Sequence, residues 1–192
     1  IIVYTAEMWY DENESGNKIR FLLSVNMEVA MEIIIRNAKR EEAEILAQIE
    51  RECFPEAEAA TEKDIAERMG AFLDCFFVAE ADGKVVGFIN EAVAKEPHLP
   101  DEMYHDTGLH DPDGDYQTVF GLDVLPEYRR QGIAGRLLER MIEHARECGR
   151  KGVVLTCKDH LVHYYAGFGF EDHGVADSSH GGAKWNDMQL KF

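Results

Sequence analysis

The sequence predicts an α/β domain that follows a short β-prone extension. Three observations support this fold class. The 192 residues are 45% hydrophobic, which is enough for one domain with a sizeable core. From residue 32 onward, β-prone runs alternate with amphipathic helical patterns. A β-branched and aromatic run at 117–125 leads through a segment rich in arginine and glycine into a long amphipathic helix.

The N-terminal extension covers residues 1–30. The runs 1–10 and 19–25 are β-prone and flank a polar segment, which is typical of a hairpin with a loop longer than two residues. An isolated hairpin is marginal in water, so we expect it to pack on the main domain or on a second subunit. Met27 and Met31 both lie where a shorter chain could begin, so the sequence leaves open whether the extension belongs to the natural product.

The main domain is predicted to span residues 31–192, and local patterns mark its elements. Thr61 and Asp64 form a capping-box-like helix start, and Asp82-Gly83 is a strong signal for a tight hairpin turn. In chain order, we predict strands at 32–36, 75–81, 84–92, 117–125, 153–157, 167–174 and 183–192, and helices at 39–53, 61–69, 131–148 and 160–166.

A polar stretch from Ala94 to Tyr116 interrupts this pattern of regular elements. A long loop of this kind inside a compact domain is usually functional or mobile. It contains His98, His105 and His110, whose spacing matches no familiar metal motif. We therefore interpret these histidines as solvated loop residues, and we predict no metal site.

The chain is acidic, with a formal net charge of −17 and a pI near 4.8. Residues 126–151 nevertheless hold seven Lys or Arg against four Glu, whereas residues 91–117 hold eight Asp or Glu and one Lys. This distribution favours an anion site beside a cation-attracting loop, although charge runs are usually solvated faces. We expect neither nucleic acid nor a membrane as a partner, because an acidic chain binds anionic polymers poorly and no apolar run approaches the roughly 18–20 residues of a membrane span. The four cysteines lack ligand or disulfide spacing, which indicates reduced thiols and a cytoplasmic location.

The segment from Val119 to Gly135, VFGLDVLPEYRRQGIAG, carries the main binding signal. Its glycines precede a helix, whose first turn presents unpaired N–H groups and the positive end of the helix dipole. Such a helix start suits a phosphate or pyrophosphate, and arginines would add charge-assisted contacts. The predicted phosphate-binding residues are Arg129, Arg130, Gln131, Gly132, Ile133, Ala134 and Gly135.

This segment resembles the Q/R-x-x-G-x-G/A acyl-CoA signature of the Gcn5-related N-acetyltransferase (GNAT) superfamily. The residues Leu122-Asp123-Val124 that precede it resemble the family's central CoA-contacting strand. A second segment, Val153–Phe170, resembles the family's next strand and helix, which end in a tyrosine followed four residues later by Gly-Phe. The resemblance covers residues 31–192, and within the superfamily it is closest to arylalkylamine N-acetyltransferases and their bacterial relatives.

The resemblance implies the GNAT fold, a mixed but mostly antiparallel twisted sheet of about seven strands flanked by about four helices, here with an extra N-terminal hairpin. It also implies acetyl-CoA as the co-substrate, no metal, and no covalent enzyme intermediate. Homodimers are common in this superfamily, so a homodimer with the hairpin as its contact is a further expectation.

The resemblance also assigns roles to individual residues. Backbone groups of Leu122-Asp123-Val124 would hold the pantetheine arm, and the arginine–glycine segment would hold the pyrophosphate. Lys158, in the second matching segment, is an additional implied CoA contact. Tyr165 occupies the family's general-acid position, where its phenol would return a proton to the leaving thiolate. The alternative for Tyr165 is an aromatic side chain packed in the core.

An acceptor amine must lose its proton before it attacks a thioester. Alkylamines titrate near the lysine value of roughly 10.4, so a base would help at neutral pH. Vertebrate-type arylalkylamine acetyltransferases carry two histidines on the central strand, but the matching positions here are Thr118 and Phe120. Glu91 and Asp115 are the candidate substitutes, and each could instead be an exposed carboxylate. Asp123 is a poorer candidate, because strand alternation places it on the opposite face from Phe120.

The sequence therefore predicts an N-acetyltransferase that moves an acetyl group from acetyl-CoA to a small, arylalkylamine-like primary amine by direct transfer in a ternary complex. The acidic loop and the aromatic side chains favour a cationic or aromatic amine over a peptide. Two alternatives remain open from the sequence: a protein or peptide N-acetyltransferase, and a non-catalytic acyl-CoA-binding module.

Overall fold

The computed structural model describes the backbone of residues 5–11 and 18–24 and the whole of residues 31–192. The chain divides into two compact units, residues 1–32 and residues 33–192. In the first unit, strand β1 (Thr5–Asp11) pairs antiparallel with β2 (Lys18–Ser24), with Thr5 opposite Ser24 and Asp11 opposite Lys18. The outer ends of the predicted strands, the segment that joins them and Met27 lie outside the described residues.

The second unit is built on a seven-stranded sheet. Its strands are β3 (Ile33–Asn37), β4 (Phe76–Ala81), β5 (Lys84–Ala94), β6 (Tyr116–Val124), β7 (Gly152–Cys157), β8 (Glu171–Val175) and β9 (Asn186–Lys191). Their order across the sheet is β3-β4-β5-β6-β7-β9-β8. Every neighbouring pair is antiparallel except β6 and β7, which are parallel. The prediction of a mixed, mostly antiparallel sheet is confirmed.

Four α-helices accompany the sheet in the described residues: α1 (Ala43–Cys53), α2 (Glu62–Phe72), α3 (Ile133–Glu147) and α4 (Val162–Ala166). Helix α1 begins four residues later than predicted, because 40–42 forms a 3₁₀ turn capped at Lys39. The predicted capping box at α2 is confirmed: Thr61 Oγ1 accepts from the Asp64 amide at 3.2 Å, and Asp64 Oδ2 accepts from the Thr61 amide at 2.9 Å.

The turn between β4 and β5 also follows its sequence signal. Asp82 has a φ of 48° and Gly83 a φ of 82°. A two-residue hairpin turn that matches the twist of its strands needs positive φ at both central positions, and the Asp-Gly pair tolerates this conformation. The turn fixes the register of the hairpin that carries Glu91.

The two faces of the sheet receive different helices. Phe76 and Val78 belong to the core cluster with α1 and α2. Phe77, between them, packs instead against α3, with its ring centroid 5.2 Å from that of His144. Successive strand residues point to opposite faces, so α1 and α2 cover one face of the sheet and α3 the other.

The polar stretch after β5 is more ordered than expected. It forms 3₁₀ turns at Asp101–Tyr104 and Thr107–Leu109, and it buries Leu99 and Tyr104 against the core. His110 is not a solvated loop histidine, because its Nδ1 accepts from the Val93 amide at 3.2 Å. The predicted structureless loop is therefore packed along the domain and delivers side chains to it.

Within the described segments, no helix is both long enough and apolar enough to cross a membrane. Over the same residues, no three His, Cys, Asp or Glu side chains are grouped so that they could hold a metal ion.

Candidate active site

A cavity of about 480 Å³ opens where the two parallel strands separate. Strands β6 and β7 pair only from Tyr116 opposite Gly152 to Val119 opposite Leu155. Beyond that point each strand continues without the other, and residues of both line the cavity, among them Leu122 and Val124 on β6 and Cys157 on β7. The separation leaves strand backbone available to an extended ligand.

The start of α3 lies at the edge of this opening. Gly132 caps the helix with a φ of 78°, and the first helical hydrogen bond runs from the Arg136 amide to the Gly132 carbonyl at 3.1 Å. The N–H groups of the first turn therefore have no partner in the helix. Arg129 lines the cavity and its Nε donates to the Val124 carbonyl at 2.8 Å, which fixes the guanidinium beside the helix start. These features fit the extended arm and the pyrophosphate of a CoA ester.

Not every residue of the arginine–glycine segment faces the cavity. Of the predicted phosphate-binding residues, only Arg129 and Ala134 line the cavity. Ile133 is a buried core residue, and a Cβ on Gly135 would lie 3.3 Å from Phe168 Cζ. Gly135 therefore allows close packing on Phe168, and its part in phosphate binding stays a prediction. The others, Arg130, Gln131 and Gly132, are exposed.

Tyr165 lines the cavity from α4 and is 8% exposed. Burial raises the pKa of its phenol well above the usual range, and the nearby Cys157, Tyr164 and Asp123 raise it further. The group is therefore a neutral hydrogen-bond donor at any physiological pH. Its neighbour Tyr164 does not line the cavity, as expected for adjacent helix positions.

Lys158 lines the cavity, but its ammonium is directed to a carboxylate. Its Nζ lies 2.7 Å from Glu58 Oε1, and it also lies over the Trp185 ring at 5.3 Å from the centroid. Glu58 belongs to the segment between α1 and α2. The ammonium thus forms an ion pair in this structure, and the CoA contact of Lys158 stays a prediction.

Aromatic side chains from distant segments line the same end of the cavity. The His180 ring stacks on Tyr104, with centroids 4.3 Å apart, and its Nε2 lies 3.0 Å from the Glu58 carbonyl oxygen. Trp185 Nε1 donates to the His180 carbonyl at 3.0 Å. Together with Phe120, these side chains make one end of the cavity aromatic and place acidic groups beside it.

Two charged residues of this site lie on helix faces that should be apolar. Glu50 lines the cavity from α1 and is 4% exposed, although it shares the face of Leu46 and Cys53. Arg68 lines the cavity from α2 and is also 4% exposed. Neither residue was predicted from the sequence, where the available signal was an ionisable residue within an apolar stripe.

The structure does not bring the predicted bases into the cavity. Glu91 is fully buried and lies outside the cavity lining, beside Gln117 and Cys75. Asp115 is a half-buried residue, and its Oδ2 lies 2.7 Å from Lys151 Nζ. Neither carboxyl group is placed to accept a proton from a substrate in the cavity.

Asp123 was assigned to the wrong face of its strand, and a β-bulge is the reason. Asn90 pairs with Gly121 and Glu91 with Val119, so Phe120 is an extra residue on β6. A bulge interrupts the alternation of side chains. Phe120 packs under Arg68, at 4.7 Å from the ring centroid, and Asp123 lies beside Glu50 on the same side. The Asp123 side chain is fully buried, so only its backbone is available to a CoA ester.

A model of the Acetyltransferase (GNAT) family matches residues 43–170, which is more than half of the chain. The chain belongs to this family. The predicted superfamily is confirmed. The matched residues run from the start of α1 to the Gly-Phe pair after α4, and so include the cavity walls formed by β6, β7 and the start of α3.

Named relatives resemble parts of the chain. It is 26% identical over 143 residues to "Probable hydrolase YhcX" of Bacillus subtilis, a match that covers 70% of this chain and 28% of that protein. It is 31% identical over 103 residues to N-acetyltransferase 8 of Homo sapiens, covering 52% of this chain and 40% of that protein. The chain thus spans less than half the length of these relatives.

Solved GNAT structures share the fold. A GNAT-like decarboxylase, GphF, in complex with isobutyryl-CoA superposes with a TM-score of 0.72 at 21% identity, covering 82% of this chain and 98% of that one. The PaiA N-acetyltransferase of Thermoplasma acidophilum in complex with coenzyme A gives a TM-score of 0.63 at 19% identity, covering 84% and 100%. Both were solved with a CoA compound bound.

Proposed function

We propose that this chain transfers an acetyl group from acetyl-CoA to a small primary amine, of the arylalkylamine kind, by direct transfer in a ternary complex. The observation that carries the proposal is a single cavity with two chemically different ends. One end lies between the separated strands and the start of α3, and the other is aromatic and acidic. Such a cavity can hold a thioester and a cationic amine side by side.

The cofactor end would be formed mainly by backbone. The groups of Leu122, Asp123 and Val124 would bind the pantetheine arm as an added strand, and the N–H groups at the start of α3 would bind the pyrophosphate with Arg129. Arg130, Gln131 and Gly132 are exposed beside it and would contribute from the rim. Bound there, acetyl-CoA supplies an acetyl group activated as a thioester.

Tyr165 would donate a hydrogen bond to the leaving sulfur. Because its pKa is raised, the phenol stays protonated and gives up its proton only as the thiolate develops beside it. The two cysteines that line the cavity support direct transfer, since burial raises the pKa of both Cys53 and Cys157 to about 11. Neutral thiols are poor nucleophiles, so neither is suited to form an acyl-enzyme.

The closed acceptor end supports a small amine over a polypeptide. The loop before β9 reaches the segment between α1 and α2, where His180 Nε2 meets the Glu58 carbonyl at 3.0 Å and a Cβ on Gly181 would lie 2.3 Å from Glu58 Cγ. These contacts join the two segments that flank the acceptor, and a peptide would have to separate them. The aromatic rings beside Glu58 and Glu50 suit a cation with an apolar body.

A homodimer and a cytoplasmic location remain predictions from the sequence. Acetylation of a protein N-terminus and acyl-CoA binding without catalysis are the competing functions, and one experiment separates all three. Free CoA thiol is measured after mixing the chain with acetyl-CoA and tryptamine, spermidine, kanamycin or a peptide with a free N-terminus. We expect rapid release with tryptamine. Release with the peptide alone would favour the protein acetyltransferase, and tight acetyl-CoA binding with no release would favour the binding module.

A further inference from the structure

A carboxyl oxygen in the cavity wall has no hydrogen-bond donor. Glu50 is 4% exposed, and its Oε1 accepts from the Ala60 amide at 3.0 Å. Its Oε2 is buried and finds no donor among residues 31–192. An unpaired buried carboxylate oxygen costs free energy, so it indicates either a bound proton or a ligand that the cavity accepts.

A second buried carboxyl group lies against the first. Asp123 is fully buried, and neither of its oxygens has a donor within the described chain. A Cβ built on Gly121 would lie 3.2 Å from Asp123 Oδ2 and 3.6 Å from Glu50 Oε2, so both carboxyl groups converge over this glycine. Two carboxylates in contact cannot both ionise in a buried site. We therefore expect the pair to share one proton and to carry one negative charge.

Glu50 lines the cavity, and the charged groups around the pair do not hydrogen-bond its free oxygen. Arg68, from α2, donates instead to Asn90 Oδ1 at 3.1 Å and to the Tyr104 carbonyl at 2.8 Å. Arg68 and His180 act on Glu50 through their charges rather than through a hydrogen bond. Burial raises the pKa of both carboxyl groups, which makes the pair a better proton acceptor than an exposed carboxylate.

We propose that Glu50 is the catalytic base for the acceptor amine and that Asp123 is a positioning residue that holds the shared proton. This inference rests on the proposed acetyl transfer. Glu50 takes one proton from the ammonium, and the freed lone pair forms the C–N bond to the thioester carbonyl carbon. As the C–S bond breaks, its electrons stay on sulfur, which takes the Tyr165 proton. The second nitrogen proton restores the phenol, and the Glu50 proton leaves to water.

Two amines of similar shape test the base. Benzylamine is protonated at neutral pH, whereas the nitrogen of aniline is not, so only benzylamine needs Glu50. With benzylamine, we expect Glu50→Gln to lower kcat by roughly 10²- to 10⁴-fold. With aniline we expect a change of less than about tenfold, and acetyl-CoA should bind with unchanged affinity. Glu91→Gln is the matched control, because it removes another buried carboxyl group of the same domain that lies outside the cavity, and it should leave both rates unchanged.

Infrared spectroscopy of the protein alone tests the shared proton. We expect a protonated-carboxyl C=O band at neutral pH that is lost in Asp123→Asn and in Glu50→Gln, and that is distinct from the band lost in Glu91→Gln. Retention of this band in both pair variants would overturn the shared proton. An equal loss of kcat with benzylamine and aniline in Glu50→Gln, or no loss with either, would overturn the role of Glu50 as the base. The proposed acetyl transfer would not be affected by that result. Absence of CoA release by the wild type with every amine tested would overturn the proposed function and the base together.

Discussion

Lys158 Nζ lies 2.7 Å from Glu58 Oε1 and joins the end of β7 to the segment between α1 and α2. The two side chains are unequally buried, with 33% of Lys158 and 7% of Glu58 exposed. The second carboxylate oxygen of Glu58 has no hydrogen-bond partner in residues 31–192. The Lys158 ammonium is therefore the main group that stabilises the buried Glu58 carboxylate. Removing it should destabilise the domain because the Glu58 charge loses its partner.

Lys158→Met should destabilise the domain by about 1–3 kcal/mol, because it leaves the Glu58 charge buried without a partner. Adding Glu58→Gln should recover part of that loss. The measurement is the free energy of unfolding in urea for both single variants and the double variant. The exposed pair Lys63–Glu67 is the control, and Lys63→Met should change stability by less than about 0.5 kcal/mol. Additive changes in the free energy of unfolding would show that Lys158 and Glu58 are not coupled. A loss of acetyl-CoA affinity in Lys158→Met would support the CoA contact predicted from the sequence.

Tyr165→Phe should lower turnover of an amine by roughly 10²-fold, because it removes the proton that the leaving sulfur receives. Affinity for acetyl-CoA should not change, since the ring still fills its place in the cavity wall. Steady-state kinetics and titration calorimetry measure the two quantities. Tyr164→Phe is the control, because Tyr164 lies next in the helix but outside the cavity lining. Turnover at the wild-type rate in Tyr165→Phe would remove this residue from the mechanism.

The buried Glu91 should make the stability of the domain depend on pH. Burial is the main cause of its raised pKa, and the charge of Asp74 adds to it. A raised folded pKa means that the unfolded chain releases its proton first as pH rises. The stabilisation is therefore complete below the unfolded pKa of roughly 4.3 and is lost as pH rises through the folded pKa, with a slope of about 1.4 kcal/mol per pH unit.

Urea unfolding of the wild type and Glu91→Gln between pH 4 and pH 8 measures this contribution. We expect the stability of Glu91→Gln to rise relative to the wild type as pH increases. Glu42→Gln should show no such rise, because the hydrogen bond from Arg36 lowers the pKa of Glu42, and its contribution is lost only as pH falls below the unfolded pKa of roughly 4.3. Parallel curves for Glu91→Gln and the wild type would show that Glu91 titrates normally.

Residues 31–192 should fold and bind acetyl-CoA without the N-terminal extension. All seven strands of the main sheet and every residue that lines the cavity lie within residues 33–192. The test compares the acetyl-CoA affinity and the thermal midpoint of residues 31–192 with those of the full chain. A loss of affinity or of cooperative unfolding would make residues 1–30 part of the functional domain.

The sequence by itself determined the elements and the cofactor end of the site. The capping box at Thr61 and Asp64, the Asp82-Gly83 turn and the glycine at the start of α3 depend on residues within four positions of one another, so local patterns are sufficient to predict them. The family resemblance rested on the same kind of local signal, and it identified Leu122, Val124, Arg129 and Tyr165 as cavity residues.

The acceptor end was decided by the tertiary structure. Its carboxyl pair joins Glu50 on α1 to Asp123 on β6, and its aromatic wall joins Tyr104 to His180. The bulge at Phe120 changed the strand face on which the rejection of Asp123 depended. Each of these features depends on contacts between residues far apart in the chain. Local sequence patterns do not predict which distant side chains the fold buries against one another.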